Sequence, residues 1–198
     1  MTLSSKFRPT ALWDMDGTLF NWSDRLNTIL RTMDPAFPIV SEGQRQDFDY
    51  FWVPGADKAT IQAAMDDPHL YEDLPPIEAS VNAYLEMVDA GWDVFTCTSP
   101  TWTNPGCVAG KLASIAQHLG PRAADRMIVT KDKTVVRGTV LIDDKPVITG
   151  AHTPSWTHIM FDQDYNRYVN ADFRMTDPSR WRELLAPFNR ATPVLAAH

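Results

Sequence analysis

Four short apolar runs in this chain each stop on an acid or a hydroxyl. Thr10 to Trp13 runs into Asp14-Met15-Asp16-Gly17-Thr18, Trp92 to Cys97 into Thr98-Ser99-Pro100, Thr139 to Ile142 into Asp143-Asp144, and His158 to Phe161 into Asp162. Runs of this length and character read as buried strands, and Met127 to Thr130 reads as another. Between them the apolar spacing turns helical. Ile77, Val81, Tyr84, Leu85 and Val88 share a face, with Pro76 suited to the first helical position and Gly91 to the stop. A second helix is predicted from Cys107 to Leu119, ended by Gly120. Strands alternating with helices predict an α/β fold, Rossmann-like, with a parallel sheet, helices on both faces, and ligands bound beyond the carboxyl ends of the strands. Acids and hydroxyls from four strands then meet at one edge.

The stretch from residue 20 to residue 75 breaks this rhythm. A helical segment from about Ser23 to Met33 gives way to a proline-interrupted region without strand alternation, so we expect an inserted, mostly helical cap over 20–75 and a core made of 1–19 and 76–198. Eighteen basic against 25 acidic residues leave a net charge of −7, which counts against a nucleic-acid polymer as partner, since gripping a phosphate backbone needs a basic face. Two cysteines, Cys97 and Cys107, are too few for a disulfide scaffold. No apolar run approaches the ~20 residues of a membrane span, and the first ten residues carry no signal pattern, so the expected location is cytoplasmic.

Asp14 and Asp16 carry the strongest chemical signal. Residues two apart at a strand end project to the same side, which aims both carboxylates into one place. Two adjacent anions repel unless a cation or a proton lies between them, and Mg²⁺ held by a few carboxylate and carbonyl oxygens suits the arrangement. An Asx-type turn is the structural alternative, because Asp and Gly also favour it. For Thr98 and Ser99 the choice is between phosphate donors ahead of a helix and a plain helix cap. Lys133, beside Asp132, would be a solvated surface lysine on general grounds. Aromatic residues cluster in the insertion: Phe20, Trp22, Phe48, Tyr50, Phe51 and Trp52. Flat faces there can stack on a base, and Phe51 and Trp52 are favoured for that pocket, whereas Phe48 and Tyr50 are balanced between pocket and core.

These motifs together resemble a known family. Asp14-Met15-Asp16-Gly17-Thr18-Leu19 is similar to the first motif of the haloacid-dehalogenase-like phosphohydrolases; Thr98-Ser99, Lys133 and Leu141-Ile142-Asp143-Asp144 resemble the second, third and fourth, in the family's order. Val94 to Pro100, Thr130 to Val136, Leu141 to Pro146 and Thr153-Pro154-Ser155-Trp156 narrow the likeness to the 5′(3′)-deoxyribonucleotidases. Phe51-Trp52-Val53 resembles the stretch that contacts the nucleoside there, and Trp22 stands where that family shows a different aromatic residue.

The resemblance implies a Mg²⁺-dependent hydrolase of deoxyribonucleoside monophosphates, acting as a homodimer. Asp14 would be the nucleophile and form an aspartyl-phosphate, and Asp16 would protonate the leaving oxygen and then take a proton from water. Thr98, Ser99 and Lys133 would bind the phosphate. Trp22, Phe51, Trp52, Val53 and Lys131 would contact the rest of the substrate. The metal would be held by Asp14, the backbone carbonyl of Asp16 and the Asp143-Asp144 pair, with the direct contact at Asp144. A phosphatase for another small ester or a polynucleotide end, and a silent nucleotide-binding module, are the competing readings. Base preference stays open.

Overall fold

The computed structural model describes residues 8–40, 44–53 and 55–189, with Trp52 described by its backbone alone. Strand β1 is Thr10–Trp13. Helices α1 (Trp22–Met33) and α2 (Lys58–Met65) follow within the insertion. Then come α3 (Glu78–Asp89), β2 (Asp93–Thr98), α4 (Cys107–Leu119), the short α5 (Pro121–Ala124), β3 (Met127–Val129), β4 (Val140–Asp143), β5 (Thr157–Phe161), β6 (Arg174–Met175) and the single turn α6 (Trp181–Leu184). The strands form one parallel sheet in the order β3-β2-β1-β4-β5-β6. Its central strand β1 pairs Leu12 with Phe95 of β2 on one side and with Leu141 of β4 on the other.

Strand side chains alternate between the faces of this sheet. Ala11, Trp13, Val94, Val140, Ile142 and Ile159 enter the main core, where Tyr84 and Met87 of α3 and Ile115 of α4 pack. Leu12, Cys97 and Leu141 enter a smaller cluster with Trp156, covered by Phe95, Ile128, Val136 and Ile148. Helices therefore close one face, and among the described residues the segments on either side of β4, 133–139 and 144–156, close the other. This differs from the expected helices on both faces. Trp156 is the side chain that substitutes for a helix there.

Most elements begin within a residue or two of their expected places. The strand after Thr139 takes in Asp143, and α3 begins at Glu78 with Ile77 as its N-cap. Pro76 lies outside α3, in an isolated antiparallel bridge with Phe20. Asn21 N–H donates to Pro75 O (2.7 Å) and Ile77 N–H to Leu19 O (2.9 Å), so the two ends of the insertion are tied side by side. Asn21 caps α1 by accepting from Asp24 N–H.

Candidate active site

The loop after β1 is held by the sheet it leaves. Asp14 N–H continues the ladder by donating to Ile142 O (2.8 Å), which fixes the first acid beside the end of β4. Gly17 then turns with φ +75, and a Cβ on it would come 2.7 Å from Asp144 Oδ2 and 2.8 Å from Tyr165 Oη. Only glycine allows both that turn and that approach. Thr18 Oγ1 donates to Asp144 Oδ1 at 3.3 Å, joining the first loop to the fourth motif.

Lys133 begins a one-turn 3-10 helix, Lys133–Val135, whose N-cap is Asp132. The Asp132 carboxylate accepts from Thr134 N–H (2.9 Å), Thr134 Oγ1 (2.5 Å) and Ala151 N–H (2.8 Å), bonds led by that of the Thr134 hydroxyl that hold it below the usual carboxylate range. Trp156 Nε1 donates to Lys133 O (3.2 Å). The turn is thus anchored from both sides, and the buried ammonium reaches Asp14 Oδ1 (2.5 Å) and Asp143 Oδ2 (2.6 Å). A surface lysine is excluded, since Lys133 is 5 % exposed.

Asp14, Asp143 and Asp144 each offer an oxygen within 4.8 Å of the others, all buried. Asp143 Oδ1 also accepts from Lys145 N–H (2.8 Å), while the Tyr165 hydroxyl donates to Asp144 Oδ2. One ammonium faces three carboxylates, and the electrostatics follow. Burial, reinforced by Asp143 and Asp16, lifts Asp14 to about 6 against the pull of Lys133. Burial and the charges of Asp143 and Asp14 raise Asp144 well above its ordinary value. For Lys133 burial opposes the charge, but Asp14 and Asp143 override it and raise its pKa. A cluster of hard carboxylate oxygens short of positive charge fits a divalent cation of the Mg²⁺ or Ca²⁺ type.

The cluster lies in a cavity of about 550 Å³. Asp14, Asp16, Gly17, Ser99, Lys131, Lys133, Asp143 and Asp144 line it from the sheet side, and Trp22, Arg45, Phe48, Asp49, Tyr50 and Tyr71 from the insertion. The Arg45 guanidinium lies 4.4 Å from the Tyr165 ring centroid and 5.6 Å from that of Tyr50, and its Nη1 donates to Ser23 Oγ (3.1 Å). Tyr165 therefore touches both Asp144 and the insertion. The Tyr71 hydroxyl and Thr101 Oγ1 are 2.7 Å apart.

Several expected residues are placed differently. Phe51 packs against the main core and Val53 is buried in it; neither lines the cavity, which takes Phe48 and Tyr50 in their stead. The reason is local. Tyr50–Trp52 is a 3-10 turn capped by Asp49, and three residues per turn send successive side chains about 120° apart, so Tyr50 and Phe51 face differently. The side chain of Trp52 lies outside the described residues. Thr98 is fully buried, its hydroxyl accepting from Lys111 Nζ (2.7 Å), and only Ser99 of that pair reaches the cavity. Helix α4 begins at Cys107, several residues beyond Ser99, because Asn104 folds the intervening loop back by donating to Met65 O and Asp67 O. No helix N-terminus stands at Ser99. Arg45, Tyr71, Lys111 and Tyr165 were not among the expected site residues; of these, only Lys111 carried a signal, as a lysine on the inward face of a helix.

A parallel sheet with acids converging at its carboxyl edge under an inserted segment is the haloacid-dehalogenase-like hydrolase fold, and solved structures agree. A family hydrolase from Xanthomonas campestris superposes with a TM-score of 0.54 over 92% of this chain and 96% of its own, at 14% identity. One from Bacillus subtilis, whose structure contains magnesium, gives 0.57 over 91% and 99%, at 11% identity. Sequence comparison defines the group more narrowly. Residues 8–188 match the family described as 5′ nucleotidase, deoxy (pyrimidine), cytosolic type C protein. The human cytosolic-type 5′(3′)-deoxyribonucleotidase is 36% identical, covering 88% of this chain and 92% of its own. A Bordetella pertussis protein provisionally assigned as a 5′(3′)-deoxyribonucleotidase is 38% identical, covering 88% and 94%. The chain belongs to this deoxyribonucleotidase family and is a phosphoric monoester hydrolase. Among the described residues no helix is long and apolar enough to cross a membrane.

Proposed function

We propose that the protein is a Mg²⁺-dependent 5′(3′)-deoxyribonucleotidase that converts deoxyribonucleoside monophosphates to deoxynucleoside and phosphate through an aspartyl-phosphate. The observation that carries this reading is the buried group of Asp14, Asp143 and Asp144 around Lys133, at the floor of a cavity whose opposite wall is aromatic. Family membership and the human cytosolic-type relative support the substrate class. Residues 20–75 act as the cap that supplies that wall, with 1–19 and 76–198 as the core.

Asp14 attacks phosphorus with its free carboxylate oxygen, forming an acyl phosphate as the ester bond breaks. With its pKa near 6, it is mostly ionised at neutral pH, and Lys133 keeps it aligned. The same ammonium stabilises the charge that develops on the phosphoryl oxygens. Asp16 gives a proton to the departing ester oxygen and later takes one from the water that cleaves the acyl phosphate. Ser99 and Lys131 line the cavity where phosphate and nucleotide would lie. Trp22, Phe48 and Tyr50 offer the base apolar faces and exclude water. Mg²⁺, held by Asp14, Asp144 and the backbone carbonyl of Asp16 with Asp143 beside them, would offset the repulsion between carboxylate and phosphate. Phosphate release from a panel of deoxy- and ribonucleoside monophosphates and sugar phosphates, with Mg²⁺ and with EDTA, tests the reading. Selective, EDTA-sensitive hydrolysis of deoxynucleotides is expected, and equal rates across the panel would favour a general phosphatase.

A further inference from the structure

Arg45 directs its donors to the insertion itself: Nε to Asp47 O (2.9 Å), Nη1 to Ser23 Oγ of α1 (3.1 Å) and Nη2 to Phe48 O. Among the described residues it pairs with no carboxylate, and its guanidinium lies instead 4.4 Å from the Tyr165 ring centroid. A cation over an aromatic face is held by the negative face of the ring. Phe48 meets the same ring edge-on, with 5.8 Å between centroids. Tyr165 belongs to the opposite wall of the cavity, in the 3-10 turn Asp164–Asn166 after β5. Asn166 anchors that turn by donating to Asp144 O (2.7 Å) and Phe161 O (2.7 Å). The Tyr165 backbone is thus fixed from the sheet, its ring is flanked by the insertion, and its hydroxyl donates to Asp144 Oδ2.

One ring therefore joins two parts of the site. The direction of its hydroxyl toward Asp144 depends on the guanidinium and the phenyl ring packed against it, and both come from the segment 45–50. The same segment supplies Phe48 and Tyr50 to the aromatic wall. We infer that Arg45 is a positioning residue for Asp144, acting through Tyr165, and that it couples occupancy of the aromatic wall to the affinity of the carboxylate cluster for its divalent cation. A base packed on Phe48 and Tyr50 keeps the segment 45–50 in place, Arg45 then keeps the Tyr165 ring in place, and Tyr165 orients Asp144. A partner that orients a metal-ligating carboxylate changes the affinity of the site without touching the ion. Such coupling is reciprocal, so the cation tightens binding at the wall by the same factor. This rests on the reading above that the base lies on the aromatic wall and the cation at Asp144.

The test measures Mg²⁺ binding by titration calorimetry, without and with saturating thymidine, a deoxynucleoside that has no phosphate to bridge to the metal. Wild type, Arg45→Met, Arg45→Lys, Tyr165→Phe and the Arg45→Met/Tyr165→Phe double variant are compared. Thymidine is expected to tighten Mg²⁺ binding to wild type by about 5-fold, the lower end of such couplings, and to leave Arg45→Met unaffected. Arg45→Met alone should lose about 10-fold in Mg²⁺ affinity, and Arg45→Lys, which keeps a cation over the ring, should recover part of it. In the Tyr165→Phe background Arg45→Met should cost almost nothing further, since the two act as a unit. Where Arg45→Met does not fold, Ser23→Ala removes one anchor of the guanidinium and should give the same losses in weaker form. A residue that merely shaped its own loop would weaken thymidine binding and leave Mg²⁺ binding without thymidine at the wild-type level. That result, or losses that add in the double variant, or thymidine binding to wild type with no effect on Mg²⁺, overturns the inference. If Asp144→Asn binds Mg²⁺ as tightly as wild type, or thymidine does not bind wild type at all, the underlying reading of the site fails and takes this inference with it.

Discussion

Lys133 Nζ stands 2.5 Å from Asp14 Oδ1 and 2.6 Å from Asp143 Oδ2, so one buried ammonium joins the carboxyl ends of the two adjacent central strands β1 and β4. Its replacement by methionine leaves three buried carboxylates without their internal counter-charge. Lys133→Met is expected to lower kcat by about 100- to 1000-fold, in the range seen when one charge-stabilising donor is lost, with a much smaller change in KM. Steady-state kinetics at saturating Mg²⁺ check this, and an unchanged kcat would remove Lys133 from the chemistry.

Tyr165 donates to Asp144 Oδ2 from beneath the Arg45 guanidinium. Tyr165→Phe keeps the ring under Arg45 and removes only the hydroxyl. A partner that orients a metal ligand is worth about 10-fold or more in affinity, so a loss of that order in Mg²⁺ binding is expected, with the thermal midpoint of the metal-free protein little changed. Titration calorimetry reports it directly.

Asp14 carries its proton up to about 6 in the folded, metal-free protein, against an ordinary value of 3.8. The folded state binds this proton more tightly than the unfolded chain. Its contribution to stability is therefore complete below about pH 4 and is lost as the pH rises through about 6. Mg²⁺ needs the ionised form, so the stabilisation it confers grows over the same interval. Unfolding midpoints with EDTA and with Mg²⁺ on both sides of that window check the sign; an equal metal-induced increment at the two pH values would show that Asp14 is not a ligand.

Cys97 lies on β2 in the smaller apolar cluster, and burial pushes its thiol up to about 12. A thiol so placed does not supply a nucleophilic thiolate near neutral pH. Alkylation of the native protein at pH 8 should leave Cys97 unmodified and activity intact, with labelling only after denaturation. Rapid labelling of the folded enzyme would mean that this cluster opens.

Much of this arrangement was legible in the residues themselves. Continuous apolar runs such as Thr10–Trp13 can only be buried strands, and acids directly after them had to collect at one edge once the sheet was parallel. Lys133 was legible only through the family resemblance, because a lysine beside an aspartate looks solvated until Asp132 is seen to serve as the N-cap of its turn. The sequence favours Phe51 for the aromatic wall and leaves Tyr50 balanced, whereas Tyr50 lines the cavity; the choice depends on a single 3-10 turn, and no periodicity extends far enough to show it. Lys111 could have been found. It shares the buried stripe of α4 with Cys107, Ser114 and Ile115, and a charge on such a stripe needs a partner. Arg45 comes from an irregular segment and Tyr165 from a single 3-10 turn, Asp164–Asn166, and they meet only through tertiary packing, for which no local pattern exists.

The covalent step proposed at Asp14 is open to direct trapping. Enzyme mixed with ³²P-labelled deoxynucleoside monophosphate and Mg²⁺, quenched in acid within one turnover and reduced with borohydride, should yield labelled protein before reduction and homoserine at position 14 after it, with neither in Asp14→Asn. Release of labelled phosphate with no label on the protein at any quench time, or label on a different side chain, would contradict the acyl-phosphate route.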